Sequence, residues 1–344
     1  MGVKITDLLI RHELDFAALG HKKLTVDSFN VLYQFLSTIR QRDGTLLTDS
    51  QGNVTSHLIG LFSRTANLMQ KDIKLAFVFD GTPPELKFRE RQRRADLKKD
   101  AQERFEKAKD EEDVDGMKKY AARTSKLTKE MVDEAKDLIS ALGLPVIQAP
   151  SEGEAQASYM IRRGDIYGIA SQDADSLLFG APRLIRNLTI SQRKKLPGKF
   201  QYQDVRPELV DLSETLNSLG IDHDSLICLA ILIGTDFNIG GIPGIGPKKA
   251  LNLVKEHGSD HDSLFRKAGW DDNFDYPWQD VFNLFKDMPA TDDYRLEWVP
   301  PDFDKVVEIL VERHDFARER VDSALEKLRS FKVREQKGLG EWFG

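Results

Sequence analysis

The sequence predicts an α/β protein in which a mostly parallel central sheet is flanked by helices and interrupted by a helical insertion. Three observations carry that expectation. Short aliphatic and β-branched runs alternate with stretches of helical period through most of the chain before residue 235, the order that produces βαβ units and parallel strands. Several of the apolar runs end in an acid: Leu24-Thr-Val-Asp27, Ile73-Lys-Leu-Ala-Phe-Val-Phe-Asp80, and Ile166-Tyr-Gly-Ile-Ala170 followed closely by Asp173 and Asp175. Between 85 and 127 the alternation gives way to charge.

Residues 1–84 read as the N-terminal part of the core. A strand ending at Asp27 precedes a helix over about 29–40, a Gly/Asp/Ser/Asn loop at 43–53, a helix over about 57–69 and the strand ending at Asp80. Gly81-Thr-Pro-Pro84 then stops the pattern, because proline removes a donor and fixes the backbone. In the insertion, 85–127, the segment 87–99 holds seven basic residues (Lys87, Arg89, Arg91, Arg93, Arg94, Lys98, Lys99) against two acids (Glu90, Asp96). Lys87, Arg91, Arg94 and Lys98 step by four, three and four, so a helix displays them as one basic stripe. Its apolar positions are few, mainly Leu97, Ala101, Phe105 and Ala108, which marks a helix only partly packed on the body. Such a helix is suited to gripping a polyanion.

The core resumes over 128–235. A helix at 129–142 leads to a strand at 144–148, a helix opened by Glu152 and Glu154, and the strand before Asp173. A hairpin-like stretch at 183–202 carries Arg193-Lys-Lys195, and helices are expected over 207–219 and 223–234. The third part, 236–332, begins with Ile-Pro-Gly244-Ile-Gly246-Pro-Lys248-Lys249 and continues as helix over 259–332, where Trp270, Tyr276 and Trp278 read as core. From 333 to 344 the helical period ends and a flexible tail is expected.

At 344 residues and 40% apolar composition the chain can bury a substantial core. No apolar run approaches the ~18 residues of a membrane span, and the start, Met1-Gly-Val-Lys-Ile-Thr6, has no apolar signal region, so a soluble, unexported protein without a membrane partner is expected. The single cysteine, Cys228, lies within an aliphatic run, which rules out an internal disulfide and a cysteine-based zinc site. Net charge is −6, yet acids reserved for cations would subtract from a basic surface elsewhere, so local charge is the better guide to partners. No coiled-coil seam is visible, and a monomer is expected.

Seven acids carry the chemistry: Asp27, Asp80, Glu152, Glu154, Asp173, Asp175, and Asp236 after the apolar segment 226–233. Each has a local structural account. Ser151 and Glu154 form an S-x-x-E capping box, acids favour the first turn of a helix, and Asp173 and Asp175 suit a turn. That account leaves the recurrence unexplained. In open parallel sheets ligands bind beyond the carboxyl ends of the strands, where these acids would converge. Carboxylates crowded there repel one another and need counter-cations. Mg²⁺ takes oxygen ligands and few carboxylates per ion, so seven acids suit two ions with some acids serving as outer partners. Two such ions roughly 3.5–4 Å apart clamp the attacking and leaving oxygens of an in-line phosphoryl displacement.

Two further stretches point to phosphate and to a partner. Gly244 and Gly246 open onto a helix whose first turn holds Lys248 and Lys249. The helix dipole disfavours cations there, so a bound anion explains them better than an ordinary connection. In the tail, Gln336, Leu339, Trp342 and Phe343 fall close together on one face of a 3₁₀-like turn, and apolar anchors on a polar tail normally have a partner.

Val-Asp27-Ser-Phe-Asn-Val-Leu-Tyr33, Val-Phe-Asp80-Gly-Thr-Pro-Pro, Ala-Pro-Ser-Glu152-Gly-Glu154-Ala, Ser-Gln-Asp173-Ala-Asp175-Ser-Leu-Leu-Phe and Gly-Thr-Asp236 with Gly-Ile-Gly-Pro-Lys-Lys stand in an order and spacing that resemble the flap endonucleases, a family of structure-specific 5′ nucleases. The resemblance covers nearly the whole chain. It implies a nuclease core with an inserted helical arch at 85–127 and a helix–hairpin–helix-like DNA-binding region. It implies that the seven acids coordinate two Mg²⁺, with Mn²⁺ able to substitute, and that Lys87 and Arg94 are the basic catalytic positions. Tyr33 matches a base-stacking aromatic, Arg40 and Arg64 match DNA-contacting arginines, and Thr55 matches part of a pocket for a one-nucleotide 3′ flap. Gly244, Gly246, Lys248 and Lys249 match the element that holds downstream duplex, often with K⁺. Gln336, Leu339, Trp342 and Phe343 match the box that binds the sliding clamp, proliferating cell nuclear antigen, with Trp-Phe where Phe-Phe is more usual.

The implied function is cleavage of 5′ flaps in branched DNA near the single-strand/duplex junction, with 5′→3′ exonuclease activity, in replication and repair. The alternative is a noncatalytic DNA-junction binder recruited by the clamp, which explains the glycine–lysine segment and the tail but not seven acids. No basic extension follows Phe343, so an archaeal type acting in the cytoplasm at the nucleoid is expected in preference to a nuclear one.

Overall fold

A computed structural model describes residues 2–111, 113, 116, 120, 124–189, 193–195 and 202–340, with side chains at 91, 193–195, 202–204 and 331–340 outside the description. Seven strands form the main sheet: β1 (His12–Glu13), β2 (Lys23–Asp27), β3 (Lys74–Phe79), β4 (Val146–Gln148), β5 (Gly168–Ala170), β6 (Arg183–Arg186) and β9 (Glu208–Asp211). Their order is β1-β9-β6-β5-β2-β3-β4. Every pairing from β6 through to β4 is parallel, with Val26 opposite both Phe77 and Ala170, while β9 runs antiparallel to β6 and β1. The expected mostly parallel sheet is therefore present. A separate hairpin pairs β7 (Arg193–Lys195) with β8 (Tyr202–Asp204).

The central strands are buried on both faces, as parallel strands under crossover helices must be. Along β3, Leu75, Phe77 and Phe79 enter one core and Ala76 and Val78 the other. The first core is covered by α1 (Ser28–Thr38), α2 (Ser56–Met69), α4 (Lys129–Ala141) and α12 (Phe303–Val307), which follow their 3.6-residue apolar period. The second is covered by α5 (Gly153–Arg162), α6 (Asp175–Leu178), α7 (Leu212–Leu219), α8 (His223–Ile233), α9 (Pro247–His257), α10 (His261–Ala268) and α11 (Trp278–Asp287). α8 is apolar all round and wholly buried from Leu226 to Leu232, including Cys228. No single described helix is long and apolar enough to cross a membrane.

Between β3 and α4 stands α3 (Lys87–Asp110), a 24-residue helix in which Ala101 and Ala108 are buried while Phe88 and Leu97 are 65% and 50% exposed. Its start is pinned by Arg89, which donates from both terminal nitrogens to Asp275 at 3.1 and 3.0 Å and lies over the Tyr276 ring. Trp270 is buried beside the same ring, stacks on Phe274 at 4.2 Å and donates from Nε1 to Tyr276 O at 2.7 Å. The Tyr276 hydroxyl in turn reaches Phe237 O at 3.1 Å, so this aromatic cluster supports the segment next to Asp236.

Five expectations are corrected. The Ser151 capping box is absent: Ser151 Oγ donates to Thr82 O at 2.8 Å and Glu152 is the N-cap. Residues 208–211 are strand and α7 begins at Leu212, because Asp211 caps it by accepting from Glu214 N at 3.1 Å; the D-x-x-E spacing marks that start. The stretch 183–202 is not one hairpin, since β6 belongs to the main sheet. Residues 288–302 run without regular structure, consistent with Pro289, Pro300 and Pro301. At the C-terminus α13 (Arg318–Gly340) continues through part of the segment expected as tail, where Arg, Glu, Gln and Lys are strong helix formers.

Trp270→Ala removes a buried ring and leaves the Tyr276 carbonyl without its donor. A loss of about 3–5 kcal/mol of stability is expected, to be read as a lower urea midpoint by circular dichroism; an unchanged midpoint contradicts the supporting role.

Candidate active site

Five of the seven acids stand where strands end and helices begin. Asp27 closes β2 and, as N-cap of α1, accepts from Asn30 N at 3.0 Å. Asp80 follows β3 and accepts from Gly153 N at 2.7 Å. A Cβ on Gly153 would come within 2.8 Å of the same carboxylate oxygen, so only glycine permits this approach. Glu152 caps α5 and Glu154 lies in its first turn, where Ser171 Oγ approaches its carboxylate at 3.4 Å. Asp175 opens α6 and accepts from Val3 N at 2.7 Å. Helix N-termini offer unpaired N–H groups and partial positive charge, which is why carboxylates can be held here at all.

The other two arrive differently. Asp173, in the turn before α6, accepts from Asn30 Nδ2 at 2.8 Å, so one asparagine joins it to Asp27. Asp236 comes from beyond the sheet, in the turn after α8. Fully buried Asn238 builds that turn: its Oδ1 accepts from Thr235 N and Oγ1 at 3.2 and 2.7 Å, and its Nδ2 donates to Ile231 O at 2.7 Å. Gly234 (φ 110°) and Gly241 (φ 60°) cross so closely that a Cβ on Gly234 would lie 2.5 Å from Gly241 N.

Burial and mutual repulsion raise Asp27, Asp80, Glu152, Glu154 and Asp175 above their ordinary values. Burial first, then Asp80 and Asp173, lift Asp27 to about 7 against the amide of Asn30. Burial, Asp236 and Asp173 lift Asp175 to about 7 against the amide of Val3. Glu154 is pushed well up by burial and by Asp175, Asp27 and Asp173. Asp80 and Glu152 are raised by burial in spite of Lys87.

Two cations from α3 enter this field. Lys87 Nζ donates to Glu152 Oε2 at 2.5 Å and lies 3.9 Å from Asp236 Oδ2. Burial works against its charge, but Glu152, Asp80 and Asp236 outweigh it and hold the ammonium above its ordinary value. Arg94 Nη2 donates to Asp236 Oδ1 at 2.7 Å. Further along the stripe, Lys98 Nζ lies 4.6 Å from the ring centre of Tyr33, which is 37% exposed. The three described members of the expected stripe thus all face the acids or the aromatic beside them.

The donor set fits hard divalent cations. It is all carboxylate oxygen, and Cys228 is buried in α8. Among the described residues no group of three or more His, Cys, Asp or Glu is already arranged to hold a metal ion, so a cation would have to draw these acids together.

The remaining expected residues lie outside this basin of acids. Arg40 is half-buried and donates to Gly44 O and Ser125 Oγ, both at 2.8 Å. Thr55 is buried at the end of a loop organised by Asp49, which accepts from Gln51 N, Asn53 N and Asn53 Nδ2 and contacts His314 Nδ1 at 3.0 Å. Arg64 is half-buried on α2. Gly246 caps α9, Gly244 takes φ 76°, and Lys248 and Lys249 are exposed in the first turn. A Cβ at either glycine would meet nothing within 4 Å, so packing does not require them. The side chains of Gln336 and Leu339, and residues Trp342 and Phe343, lie outside the description.

Sequence reasoning missed Asn30, Ser171 and the Gly153 amide, whose partners Asp173, Glu154 and Asp80 are distant in the chain, although Asn30 stands three residues after Asp27, the spacing of a capped first turn. It also missed Glu90, although its partners Arg93 and Arg94 stand one turn along the same helix.

Residues 1–101 match the XPG N-terminal domain and residues 143–236 the XPG I-region. Over its full length the chain is 49% identical to flap endonuclease 1 of Thermococcus onnurineus, covering 99% of that protein, and 48% identical to flap endonuclease 1 of Aeropyrum pernix, covering all of it. The solved flap endonuclease-1 from Methanococcus jannaschii is similar over 97% of this chain and 100% of that one, at 39% identity and a TM-score of 0.76. The catalytic core of Rad2 in complex with DNA shares the fold over 94% of this chain and 97% of that one, at 24% identity and a TM-score of 0.68. A carboxylate basin answered by two cations, on a fold and sequence shared end to end with these proteins, makes the chain a member of the flap endonuclease 1 family of structure-specific nucleases.

Proposed function

We propose that the acid basin binds two divalent cations, Mg²⁺ with Mn²⁺ as a substitute, and that the chain uses them to hydrolyse a phosphodiester near the single-strand/duplex junction of a 5′ flap. The products are a 5′ phosphate and a ligatable nick, and 5′→3′ exonuclease activity accompanies flap cleavage. The observation that carries this reading is the meeting of seven carboxylates with Lys87 and Arg94 at the carboxyl edge of a parallel sheet. A noncatalytic junction binder has no use for that arrangement.

When bound, the cations supply charge stabilisation for the attacking and leaving oxygens of an in-line displacement. The protein's own residues do the rest. Asp27, Asp80, Glu152, Glu154, Asp173, Asp175 and Asp236 hold the cations, and the amides of Asn30, Gly153 and Val3 fix the carboxylates of Asp27, Asp80 and Asp175. Lys87 and Arg94 exchange their carboxylate partners for the scissile phosphate as it gains charge, the work of positioned cations in phosphoryl transfer. Tyr33 offers a face on which a base beside the scissile bond stacks, which tolerates any sequence. Shape and backbone contacts, not base edges, then select the junction.

The same reading assigns Arg40, Arg64 and Thr55 to the upstream duplex and its one-nucleotide 3′ flap. Gly244, Gly246, Lys248 and Lys249 hold the downstream duplex, with K⁺ at that element. Gln336, Leu339, Trp342 and Phe343 bind the sliding clamp, and the enzyme acts as a monomer at chromosomal DNA of an archaeal-type cytoplasm, in replication and repair.

Asp175→Asn is expected to slow Mg²⁺-dependent cleavage of a labelled double-flap DNA by at least about 100-fold while junction binding by anisotropy stays close to native. Native-rate cleavage in the variant contradicts the assignment, and parallel loss of binding and cleavage points to a structural role.

The raised carboxyls also set a pH dependence. Asp27 and Asp175 move from 3.8 to about 7 on folding, so the unfolded chain loses these protons first. Stability is then greatest below the unfolded value and declines as pH rises through about 7. In chelator the melting temperature should fall between about pH 5 and pH 8, and Mg²⁺ should raise it more at the upper end, where the carboxylates are free to bind it. A Mg²⁺ effect independent of pH, or none, contradicts cation binding by these acids.

A further inference from the structure

Glu90 is a charged residue on an exposed helix, yet it is only 3% exposed. Burying a carboxylate is costly unless hydrogen bonds replace its water. Here they do. Arg93 donates from Nε and Nη2 to the two Glu90 oxygens, both at 2.8 Å, and Arg94 donates from Nε to Oε1 at 2.6 Å. These hydrogen bonds outweigh burial and keep Glu90 ionised, below its ordinary value. A favourable first-turn position on α3 accounts for an acid at this place but not for its burial under two guanidinium groups.

The division of labour within Arg94 is the informative point. Its Nε faces Glu90 one turn earlier on the same helix, and its Nη2 faces Asp236 at 2.7 Å. A guanidinium is planar and rigid, so fixing one edge aims the other. In the reading under Proposed function, Asp236 turns to a cation and Arg94 turns its outer nitrogen to phosphate. The contact with Asp236 is then given up, whereas the contact with Glu90 lies within the helix and persists. The carboxylate also screens Arg93 from Arg94, two adjacent like charges that would otherwise push the Arg94 guanidinium off its path.

We infer that Glu90 is a positioning residue for cleavage: it anchors the inner edge of Arg94 so that the outer edge is held toward the reacting phosphate before DNA arrives. This rests on the reading of Arg94 as a catalytic cation. The role is distinct from that of Arg93, which binds the same carboxylate and, among the described residues, makes no hydrogen bond or ion pair to the acid basin, feeling Asp236 only at longer range.

The test is single-turnover cleavage of double-flap DNA by the full chain, with binding measured separately on the same substrate in Ca²⁺. Glu90→Gln is expected to lower the cleavage rate about 10- to 100-fold, the usual effect of removing a partner that orients an active-site group, with binding within about threefold of native. In the double variant Glu90→Gln with Arg94→Ala, cleavage should be no slower than in Arg94→Ala alone, because residues acting as a unit are not additive. Arg93→Gln should remain within about threefold of native. Native-rate cleavage by Glu90→Gln overturns the inference, as does a double variant in which the two losses multiply. Equal losses in Arg93→Gln and Glu90→Gln would make the carboxylate a staple of the helix and also overturn it. If Arg94→Ala itself cleaves normally, the catalytic reading of Arg94 fails, and the inference with it.

Discussion

Mutual repulsion among seven carboxylates is the constraint that the surrounding structure answers. At the carboxyl edge of a parallel sheet the acids cannot all be ionised and buried without compensation, and the compensation is visible at each position. Asp27, Glu152, Glu154 and Asp175 occupy helix starts, where backbone N–H groups and the dipole favour negative charge. Asn30 is shared between Asp27 and Asp173, and Gly153 gives its amide to Asp80. What these contacts leave unbalanced is met by Lys87 and Arg94 and, in the proposed working enzyme, by divalent cations. Substitution of any one acid therefore alters the charge state of its neighbours, since Asp27, Glu154 and Asp175 each feel at least two of the others.

The basic helix has two jobs that pull in different directions. It carries cations into an acidic basin, which favours close docking, and it has few buried apolar side chains to dock with, Ala101 and Ala108 among them. Ion pairs substitute for a core: Arg89 to Asp275 at the base, Lys87 to Glu152, Arg94 to Asp236. The Arg89 pair is exposed, and such pairs are individually weak and screened by salt. The Lys87 and Arg94 pairs are largely buried, so each can be given up only as another charge partner takes its place, and in the proposed working enzyme phosphate with cations at the acids supplies that replacement.

Much of this was legible in the sequence because local rules and chemistry coincide at the acids. A strand that ends in Asp and opens onto a helix leaves the same trace whether one or seven such acids are read, so the set from Asp27 to Asp236 was found without any contact. The 4-3-4 spacing of the basic stripe was equally local. The shared Asn30, the Gly153 amide and the pairing of Arg94 were not, because their partners lie 143, 73 and 142 residues away. The β9 strand was hidden for another reason. Four residues at an antiparallel edge, placed directly before a capped helix, show too little alternation to be separated from it, and only the Asp211 cap marks the boundary.

The chain order of the acids has a consequence for biogenesis. Asp27 and Asp236 face the same basin from opposite ends of the matched nuclease regions, and Asp236 is held by a buried turn behind α8. A contact of that sequence separation requires closure of a long loop, which is entropically costly and comes late in folding. Nascent or partly folded chains would hold their acids dispersed, with neither Lys87 nor Arg94 tethered to Asp236. Nuclease competence would thus appear only with the complete topology, so an unfinished chain cannot act on DNA it happens to meet.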